Sequence, residues 1–146
     1  MEFKHFPAIN NNNEKVEITI ASGPVIIENN KVLLVKHKDP FWKFPGGTQL
    51  DTHNFIENAK REVKEELNIN VTLQEDPYVM AFERNHNGIK EYVILIHYLA
   101  KKEGEVKPGE EIEEYKWFNI NDLPKDCAPN IKPTVDFFKE KWIQNK

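Results

Sequence analysis

The sequence predicts an α/β or α+β domain built on a mixed β-sheet. Runs of apolar and β-branched residues occur both before and after one long amphipathic segment, and a second helical pattern closes the chain. Asparagine-containing dipeptides separate the apolar runs, as they do in β-hairpins. Because the order is strands, helix, strands, helix, a mixed sheet is the arrangement that fits.

The strands before the helix form a predicted hairpin. Residues Val16–Ile27 are rich in β-branched side chains, and Ser22–Pro24 marks a bend or bulge within them. Asn29-Asn30 then precedes a second apolar run, Lys31–Val35. The two runs are therefore predicted to pair around an Asn-Asn turn.

The N-terminal residues carry a weaker pattern. Asn10–Asn13 is a polar tract that we interpret as a loose connection after an N-terminal arm or a first strand. We expect residues 1–146 to form a single domain, with residues 1–15 as a candidate loose arm. A chain of this length buries a sizeable hydrophobic core.

The clearest helix is predicted from Asn54 to Leu67, with apolar side chains at every fourth position. Asp51 or Thr52 is expected to cap its start. Asn68 is expected to take the left-handed conformation that commonly ends a helix. The apolar stripe consists of Phe55, Ile56, Ala59, Val63 and Leu67.

Three further strands and a second helix are predicted after this helix. Two of the strands pair around Asn87-Gly88, which is a hairpin signal. A short strand and a final helix follow, after a loop that contains Pro and Gly. The predicted ranges are Tyr78–Arg84, Glu91–Lys101, Tyr115–Phe118 and Pro133–Gln144, with the loop at Pro108–Glu111.

Composition and charge limit the classes of partner. A protein that binds the backbone of a nucleic acid needs a basic surface, and the formal net charge of −4 argues against such a partner. The longest apolar run, Tyr92–Ala100, includes His97 and is too short to span a bilayer. Cys127 is the single cysteine and has no internal disulfide partner. We therefore expect a cytoplasmic protein without a membrane or nucleic-acid partner, and the charge does not exclude an anionic small molecule as its partner. A monomer or a homodimer is expected.

Three carboxylates on the predicted helix lie in one sector beside the apolar stripe. On a wheel of about 100° per residue, Glu65 and Glu66 fall within about 60° of Glu62. Like charges at positions i and i+4 destabilise a bare helix, whereas clustered carboxylate oxygens suit a hard cation such as Mg²⁺ or Mn²⁺. The alternative is a solvated face, which is the common reason for a helix rich in Glu and Lys.

The segment before the helix favours the metal site over the solvated face. Pro45-Gly46-Gly47 provides backbone that approaches a ligand closely and exposes carbonyls or amides. Followed by a short loop and a carboxylate-bearing helix, it is suited to hold a metal and a phosphate chain together.

These residues resemble the signature of the Nudix hydrolase family, G-x5-E-x7-R-E-U-x-E-E-x-G-U, in which U is bulky and apolar. In this chain the motif runs from Gly47 to Ile69 and matches at seven of its nine defined positions. The resemblance covers roughly residues 16–142. It implies a Nudix-type α/β/α sandwich, with a mixed β-sheet between helices, as one Nudix hydrolase domain.

The resemblance also implies a metal site and a reaction. Glu62, Glu65 and Glu66 are implied to bind Mg²⁺ or Mn²⁺ together with the Gly46 carbonyl. The implied reaction is hydrolysis of a phosphoanhydride by metal-bound water, in a nucleoside triphosphate or another nucleoside diphosphate linked to a further group. Glu65 and Glu62 are implied as catalytic residues.

A loop glutamate is implied as a further catalytic residue. Glu111 is the first choice for this role and Glu110 is the second. Both lie in the acidic stretch from Glu103 to Glu114, where most of the carboxylates are expected to be solvated.

Two motif positions depart from the family pattern. Asn68 stands where Gly is usual, which is a mild change because Asn also adopts the left-handed cap. His53 stands where a Glu is usual, and that Glu ordinarily holds the motif arginine. Arg61 is therefore expected to pair with Glu57 or Glu65 instead.

The departure at His53 motivates an alternative function. The chain would then be a catalytically weakened Nudix-fold module that binds nucleotides or regulates another protein. His53 itself is interpreted as a solvated residue at the start of the helix rather than as a metal ligand. An isomerase of diphosphate esters in the same fold is disfavoured, because Cys127 lies outside the expected pocket.

Substrate contacts are expected from side chains around the motif. Aromatic residues stack on a base, and basic residues bind phosphate oxygens. The alternatives are that the aromatic residues belong to the core and that the basic ones are solvated. The candidates are Trp42 and Phe44 for stacking, and Lys43, Arg84, Lys36 and His86 for phosphate.

Overall fold

Within the part of the chain that the structure describes, seven strands form one mixed sheet and two helices cover it. The computed structural model describes residues 5–46, 54–74 and 76–144. The elements in chain order are β1 (His5–Ile9), β2 (Lys15–Glu28), β3 (Lys31–Lys36), α1 (Phe55–Leu67), β4 (Asn70–Leu73), β5 (Tyr78–His86), β6 (Ile89–Glu103), β7 (Glu114–Asn119) and α2 (Ile131–Gln144).

The central pair of the sheet, β2 and β6, is parallel and runs from Val16↔Lys90 to Ile26↔Ala100. The remaining pairs are antiparallel: β1 and β3 with β2, β4 and β5 with β6, and β7 with β3. The strand order along the main path is β4-β6-β2-β3-β7. The prediction of a mixed sheet is confirmed.

Both predicted hairpins are present. Asn29 and Asn30 join β2 to β3 with φ angles of 51° and 63°. Asn87 and Gly88 join β5 to β6 with φ angles of 54° and 81°. Two successive residues with positive φ match the twist of paired strands, and Asn and Gly adopt that conformation at low cost.

The two helices lie on opposite faces of the sheet. Successive residues of a strand point to opposite faces. Val25 belongs to the hydrophobic cluster that contains Phe138 of α2, whereas Ile26 belongs to the cluster that contains Val63 and Leu67 of α1. The predicted α/β/α sandwich is thereby confirmed.

The ends of α1 are set by asparagines. Asn54 Oδ1 accepts a hydrogen bond from Glu57 N at 3.1 Å and caps the N-terminus. The prediction of Asp51 or Thr52 as the cap is therefore wrong, because the helix begins later than either residue can cap. Asn68 has φ 58° and ψ 33°, which confirms the predicted left-handed end.

Three other details differ from the sequence predictions. The loose-arm interpretation is corrected for residues 5–9, which pair with residues 15–19 of β2. A bend or bulge was predicted at Ser22–Pro24, but the ladder between β2 and β6 continues through these residues. Strand β4 was not predicted, because four residues directly after a helix are too few to show strand alternation.

One edge of β2 pairs with two different strands along its length, and the start of α1 lies against the part between them. That edge pairs with β1 as far as Thr19 and with β3 from Ile27 onward. The start of α1 approaches the intervening part, where Ser22 Oγ donates to Phe55 O at 3.1 Å. Among the residues that the structure describes, neither helix is long and apolar enough to cross a membrane.

Candidate active site

The carboxylates of α1 divide between the interior and the solvent. Glu62 is 7% exposed and Glu66 is 2% exposed, whereas the side chain of Glu65 is 58% exposed. Arg61 lies beside them, with Nη2 3.3 Å from Glu62 Oε1 and Nε 3.9 Å from Glu65 Oε1. The inner pair faces Gly46, and the outer carboxylate faces water.

Glu66 is bound at both carboxylate oxygens. The Gly46 N–H donates to Oε2, and His37 Nε2 lies 2.7 Å from Oε1. Gly46 has φ +81°, and a Cβ at this position would lie 3.3 Å from Cδ of Pro24 and 3.6 Å from Cβ of Glu62. Only glycine fits this conformation and this space without strain.

The loop before β7 is attached to the C-terminal end of α1. Lys107 N donates to Leu67 O at 2.9 Å, and Gly109 N donates to Glu66 O at 2.8 Å. These bonds satisfy carbonyls that a helix leaves unpaired at its end. A Cβ on Gly109 would lie only 3.3 Å from Glu65 O, so the close approach requires glycine.

This attachment brings Glu111 to the end of β3. Glu113 N donates to Lys36 O at 2.9 Å, which continues the pairing of β7 with β3. One ligand atom from each of His37, Glu66 and Glu111 lies within 4.8 Å of the others. We call these three residues the metal corner.

The metal corner fits a divalent cation by its chemistry. Carboxylate oxygens suit Mg²⁺ and Mn²⁺, and imidazole nitrogen suits transition metals. Each carboxylate oxygen has two lone pairs, so the oxygens of Glu66 retain capacity beside their present hydrogen bonds. His37 was not predicted from the sequence, because a single histidine after a strand carries no spacing signal.

Glu62 occupies a less polar environment than Glu65. Burial raises the pKa of its carboxyl group, and the hydrogen bond from Arg61 opposes that rise. Arg61 Nη2 also donates to Asn58 Oδ1 at 2.5 Å. Of the two partners expected for Arg61, Glu65 is found, whereas Glu57 pairs with a lysine one turn further on.

A pocket of about 760 Å³ opens beside the metal corner, on the face of the sheet that α2 covers. Its floor is made by β2, β6 and β5, and its walls are made by three loops. Ligand sites in proteins are commonly apolar pockets of this size with a few polar groups. The lining residues are Thr19, Ala21, Ser22, Gly23, His37, Lys38, Asp39, Lys43, Phe44, Pro45, Gly46, Phe82, Arg84, Val93, Leu95, His97, Glu111, Ala128, Pro129 and Asn130.

His97 is a buried polar group at one end of this pocket. It is 5% exposed, and its ring contacts Phe44 edge-to-face with the centroids 5.0 Å apart. Asn130 Nδ2 lies 3.2 Å from His97 Nε2. Burial lowers the pKa of His97 to about 4, so its ring is neutral at physiological pH. The sequence signal for this residue was its position within the apolar run Tyr92–Ala100.

The lowered pKa of His97 predicts a loss of stability in acid. The unfolded chain takes up this proton near pH 6.5 and the folded chain near pH 4, so stability falls as the pH drops through that window. We expect a loss on the order of 3 kcal/mol between about pH 7.5 and pH 4. Urea unfolding of the wild type and of His97→Gln measures it. The wild type should show the steeper pH dependence, and equal slopes would contradict the assignment.

The four predicted substrate-binding residues have different locations. Trp42 is 5% exposed and belongs to a core cluster, where it contacts Phe118 edge-to-face, so it does not line the pocket. Phe44, Lys43 and Arg84 do line the pocket.

The remaining candidates are placed as follows. Lys36 Nζ lies 3.3 Å from Asp126 and does not line the pocket. Glu110 and Glu111 are both exposed, but only Glu111 belongs to the metal corner. Gly47 and His53 lie outside the described residues, as does the side chain of His86.

Comparison with known proteins gives a consistent result. A family model described as the NUDIX domain matches residues 19–138. An ADP-ribose pyrophosphatase of Methanocaldococcus jannaschii is 28% identical over 127 residues, which cover 84% of this chain and 74% of that protein. A putative 8-oxo-dGTP diphosphatase of Bacillus subtilis is 28% identical over 116 residues, which cover 79% of this chain and 75% of that protein.

The structure gives the same assignment. A MutT NUDIX hydrolase from Burkholderia pseudomallei superposes with a TM-score of 0.61 and 25% identity, over 82% of this chain and 96% of that one. The family match spans most of the chain and includes the motif, both clusters of the core and the pocket. The chain therefore belongs to the NUDIX family.

Proposed function

We propose that the protein hydrolyses a phosphoanhydride bond in a nucleoside diphosphate linked to another group, with Mg²⁺ or Mn²⁺ as the cofactor. The observation that carries the proposal is the convergence of His37, Glu66 and Glu111 at the mouth of a pocket large enough for a nucleotide. A solvated acidic face would not bury Glu66 or bind both of its oxygens.

The residues that would hold the metal come from three segments. Glu62, Glu65 and Glu66 lie on α1, Glu111 comes from the loop before β7, and His37 and the Gly46 carbonyl come from the segment between β3 and α1. A divalent cation at such a place neutralises charge on the phosphoryl oxygens and lowers the pKa of water. The hydrogen bond from Gly46 N–H holds the Glu66 carboxylate in one orientation for this role.

The chain supplies both a proton acceptor and phosphate contacts. Glu62 would accept a proton from the attacking water, because burial raises the pKa of its carboxyl group and so favours proton uptake. Lys43 and Lys38 line the pocket and would donate to phosphate oxygens. Lys43 is held in place by its ion pair with Asp39.

The pocket offers a site for a nucleoside beside the metal corner. Phe44 and His97 provide an aromatic surface, and Asn130 provides amide groups that can hydrogen-bond a base edge. The names of the two relatives, an ADP-ribose pyrophosphatase and a putative 8-oxo-dGTP diphosphatase, support a nucleoside diphosphate derivative as the substrate. The cytoplasmic location and the monomeric or homodimeric state stay predictions.

A substrate screen tests the proposal. Nucleoside diphosphate derivatives are incubated with Mg²⁺ or Mn²⁺, and phosphate is measured after treatment with a phosphatase. We expect product with the metal and none with a chelator. Glu65→Gln should lower the rate at least about tenfold, since Glu65 is a predicted ligand and catalytic group. Glu57→Gln, an exposed position on the same helix, is the matched control.

The outcomes separate the two functions considered for the sequence. Full activity in Glu65→Gln would remove Glu65 from the reaction. Saturable nucleotide binding without product would contradict the hydrolase proposal. That result would favour the alternative of a nucleotide-binding or regulatory module.

A further inference from the structure

A buried carboxylate at the far end of the pocket floor has no role in the proposed reaction. Glu91 on β6 is 0% exposed. Thr19 Oγ1 donates to its Oε2 at 2.8 Å, and Arg84 Nε donates to its Oε1. A charged side chain is buried in this way only when its oxygens are bound, so the three side chains form one polar unit.

This unit presents a guanidinium group to the pocket. Arg84 lines the pocket and its side chain is half exposed, whereas Glu91 lies entirely beneath it. The hydrogen bond to Glu91 uses Nε, and Nη1 and Nη2 make no hydrogen bond to any residue within the described ranges. A fixed guanidinium has lost part of its side-chain entropy before a ligand binds.

The register of the sheet places this unit far from the metal corner. Gly23 pairs with His97, and its neighbour Pro24 contacts Gly46. Thr19 lies four residues before Gly23 on β2, which is about 13 Å along a strand. This distance is close to the length of a nucleoside, so Arg84 is placed to contact the far end of a group that extends from the metal corner.

The surface between the two ends is apolar. Ala21 on β2, Val93 and Leu95 on β6, and Phe82 on β5 line the pocket along this stretch. Phe82 is 42% exposed, so its ring is accessible to a planar or sugar group. A ligand that lies here gains contact area but no polar contacts until it reaches Arg84.

The charge of the unit also restricts the ligand. The carboxylate of Glu91 offsets the positive charge of Arg84, and Glu17, which pairs with Glu91 in the register of β2 and β6, adds a second carboxylate on the same face. No net cation therefore remains to attract phosphate. The guanidinium nevertheless keeps its planar set of N–H donors. Such a group favours neutral oxygen acceptors, such as sugar hydroxyls or ring carbonyls, over an anion.

We propose that Arg84, held by Glu91 and Thr19, binds a neutral oxygen-bearing group that is attached to the nucleoside diphosphate on the far side of the cleaved bond. The nucleoside itself then lies at the Phe44–His97 end. The inference rests on the proposed function and narrows its substrate class to nucleoside diphosphates linked to a neutral sugar or a second nucleoside. Glu91 and Thr19 are positioning residues that act through Arg84.

The first test compares ADP-ribose with ADP, which lacks the linked group. We expect Arg84→Gln to raise KM for ADP-ribose about tenfold and to leave kcat within about threefold of the wild-type value. The lost contact is made equally in the bound substrate and in the transition state, so its removal weakens binding without slowing the reaction. Calorimetry in a chelator should show the same loss of affinity for ADP-ribose and none for ADP. Equal effects on both ligands, or no effect on either, would overturn the proposal.

The second test uses the charge of Glu91. Glu91→Gln keeps an oxygen that accepts from Arg84 Nε but removes the carboxylate charge that is bound to the guanidinium. We expect the preference for UDP-glucuronate over UDP-glucose, measured as a ratio of binding constants, to rise about tenfold over the wild-type ratio. An unchanged ratio would overturn the proposal. UDP-glucose and UDP-glucuronate share the UDP group and differ in the charge of the sugar. A general loss of binding therefore affects both ligands equally and leaves the ratio unchanged.

Thr19→Val is the second variant in case Glu91→Gln unfolds. It removes one hydrogen bond to Glu91 and is expected to raise KM for ADP-ribose about threefold without changing the melting temperature by more than a few degrees. An unchanged KM would count against the positioning role. If the wild type turns over none of these compounds, the proposed function fails, and the calorimetric comparison still decides whether Arg84 binds the linked group.

Discussion

Glu66→Gln is expected to lower kcat/KM for metal-supported hydrolysis by about 10²- to 10³-fold. Glu66 combines a 2% exposed carboxylate with hydrogen bonds from Gly46 and His37 and with a position in the metal corner. Glutamine keeps the shape and one acceptor oxygen, so the fold is retained. It lacks the negative charge that binds a divalent cation.

Two measurements accompany the rate. Binding of Mn²⁺, followed by calorimetry or electron paramagnetic resonance, should weaken in parallel with activity. Glu110→Gln is the matched control, since it makes the same chemical change at an exposed glutamate of the loop that carries Glu111. It should leave the rate within about twofold. Wild-type Mn²⁺ affinity in Glu66→Gln would remove Glu66 from the metal site.

Phe138→Ala is expected to lower the free energy of unfolding by about 3–5 kcal/mol. Phe138 on α2 is 0% exposed and belongs to the cluster beneath the pocket, where it packs with Val25, Leu34 and Trp42. Removing the ring leaves a cavity that the surrounding side chains fill only in part. For a domain of this size the melting temperature should fall by about 10 °C.

The neighbouring aromatic residue provides the control. Phe137 is 39% exposed and stacks on Tyr78 with the ring centroids 4.6 Å apart. Phe137→Ala removes an identical side chain one position away and should cost about 1 kcal/mol or less. Urea unfolding of both variants measures the difference. Equal destabilisation would show that α2 does not bury the face assigned to it.

The local parts of the fold were predictable, because each depends on a short sequence. The Asn29-Asn30 and Asn87-Gly88 turns and the left-handed Asn68 depend on residues that tolerate positive φ. The start of α1 was less predictable, since Asp, Thr and Asn near it are all good caps. The start of α1 is held in the fold by the hydrogen bond from Ser22 Oγ to Phe55 O, a contact between distant segments that the local sequence does not show.

From the residues alone, the site was predictable where its members share one helix, whereas Glu111, which joins them from a distant loop, was named only through the family resemblance. Glu62 and Glu66 follow from helical spacing. His37 is distant in sequence, and its place beside Glu66 depends on the course of β3 and the loop that follows. The same holds for Glu91 and Arg84, whose contact depends on the register of β5 and β6.

The attachment of the loop before β7 to the end of α1 has a consequence for chain length. From Lys107 onward this loop is fastened to helix carbonyls, and Glu111 follows four residues later. Insertions between β6 and Lys107 therefore lengthen only the part of the loop that precedes its hydrogen bonds to α1. Insertions between Lys107 and Glu111 move the carboxylate away from His37. Natural or engineered variation in loop length is thus compatible with hydrolysis on one side of Lys107 and incompatible with it on the other.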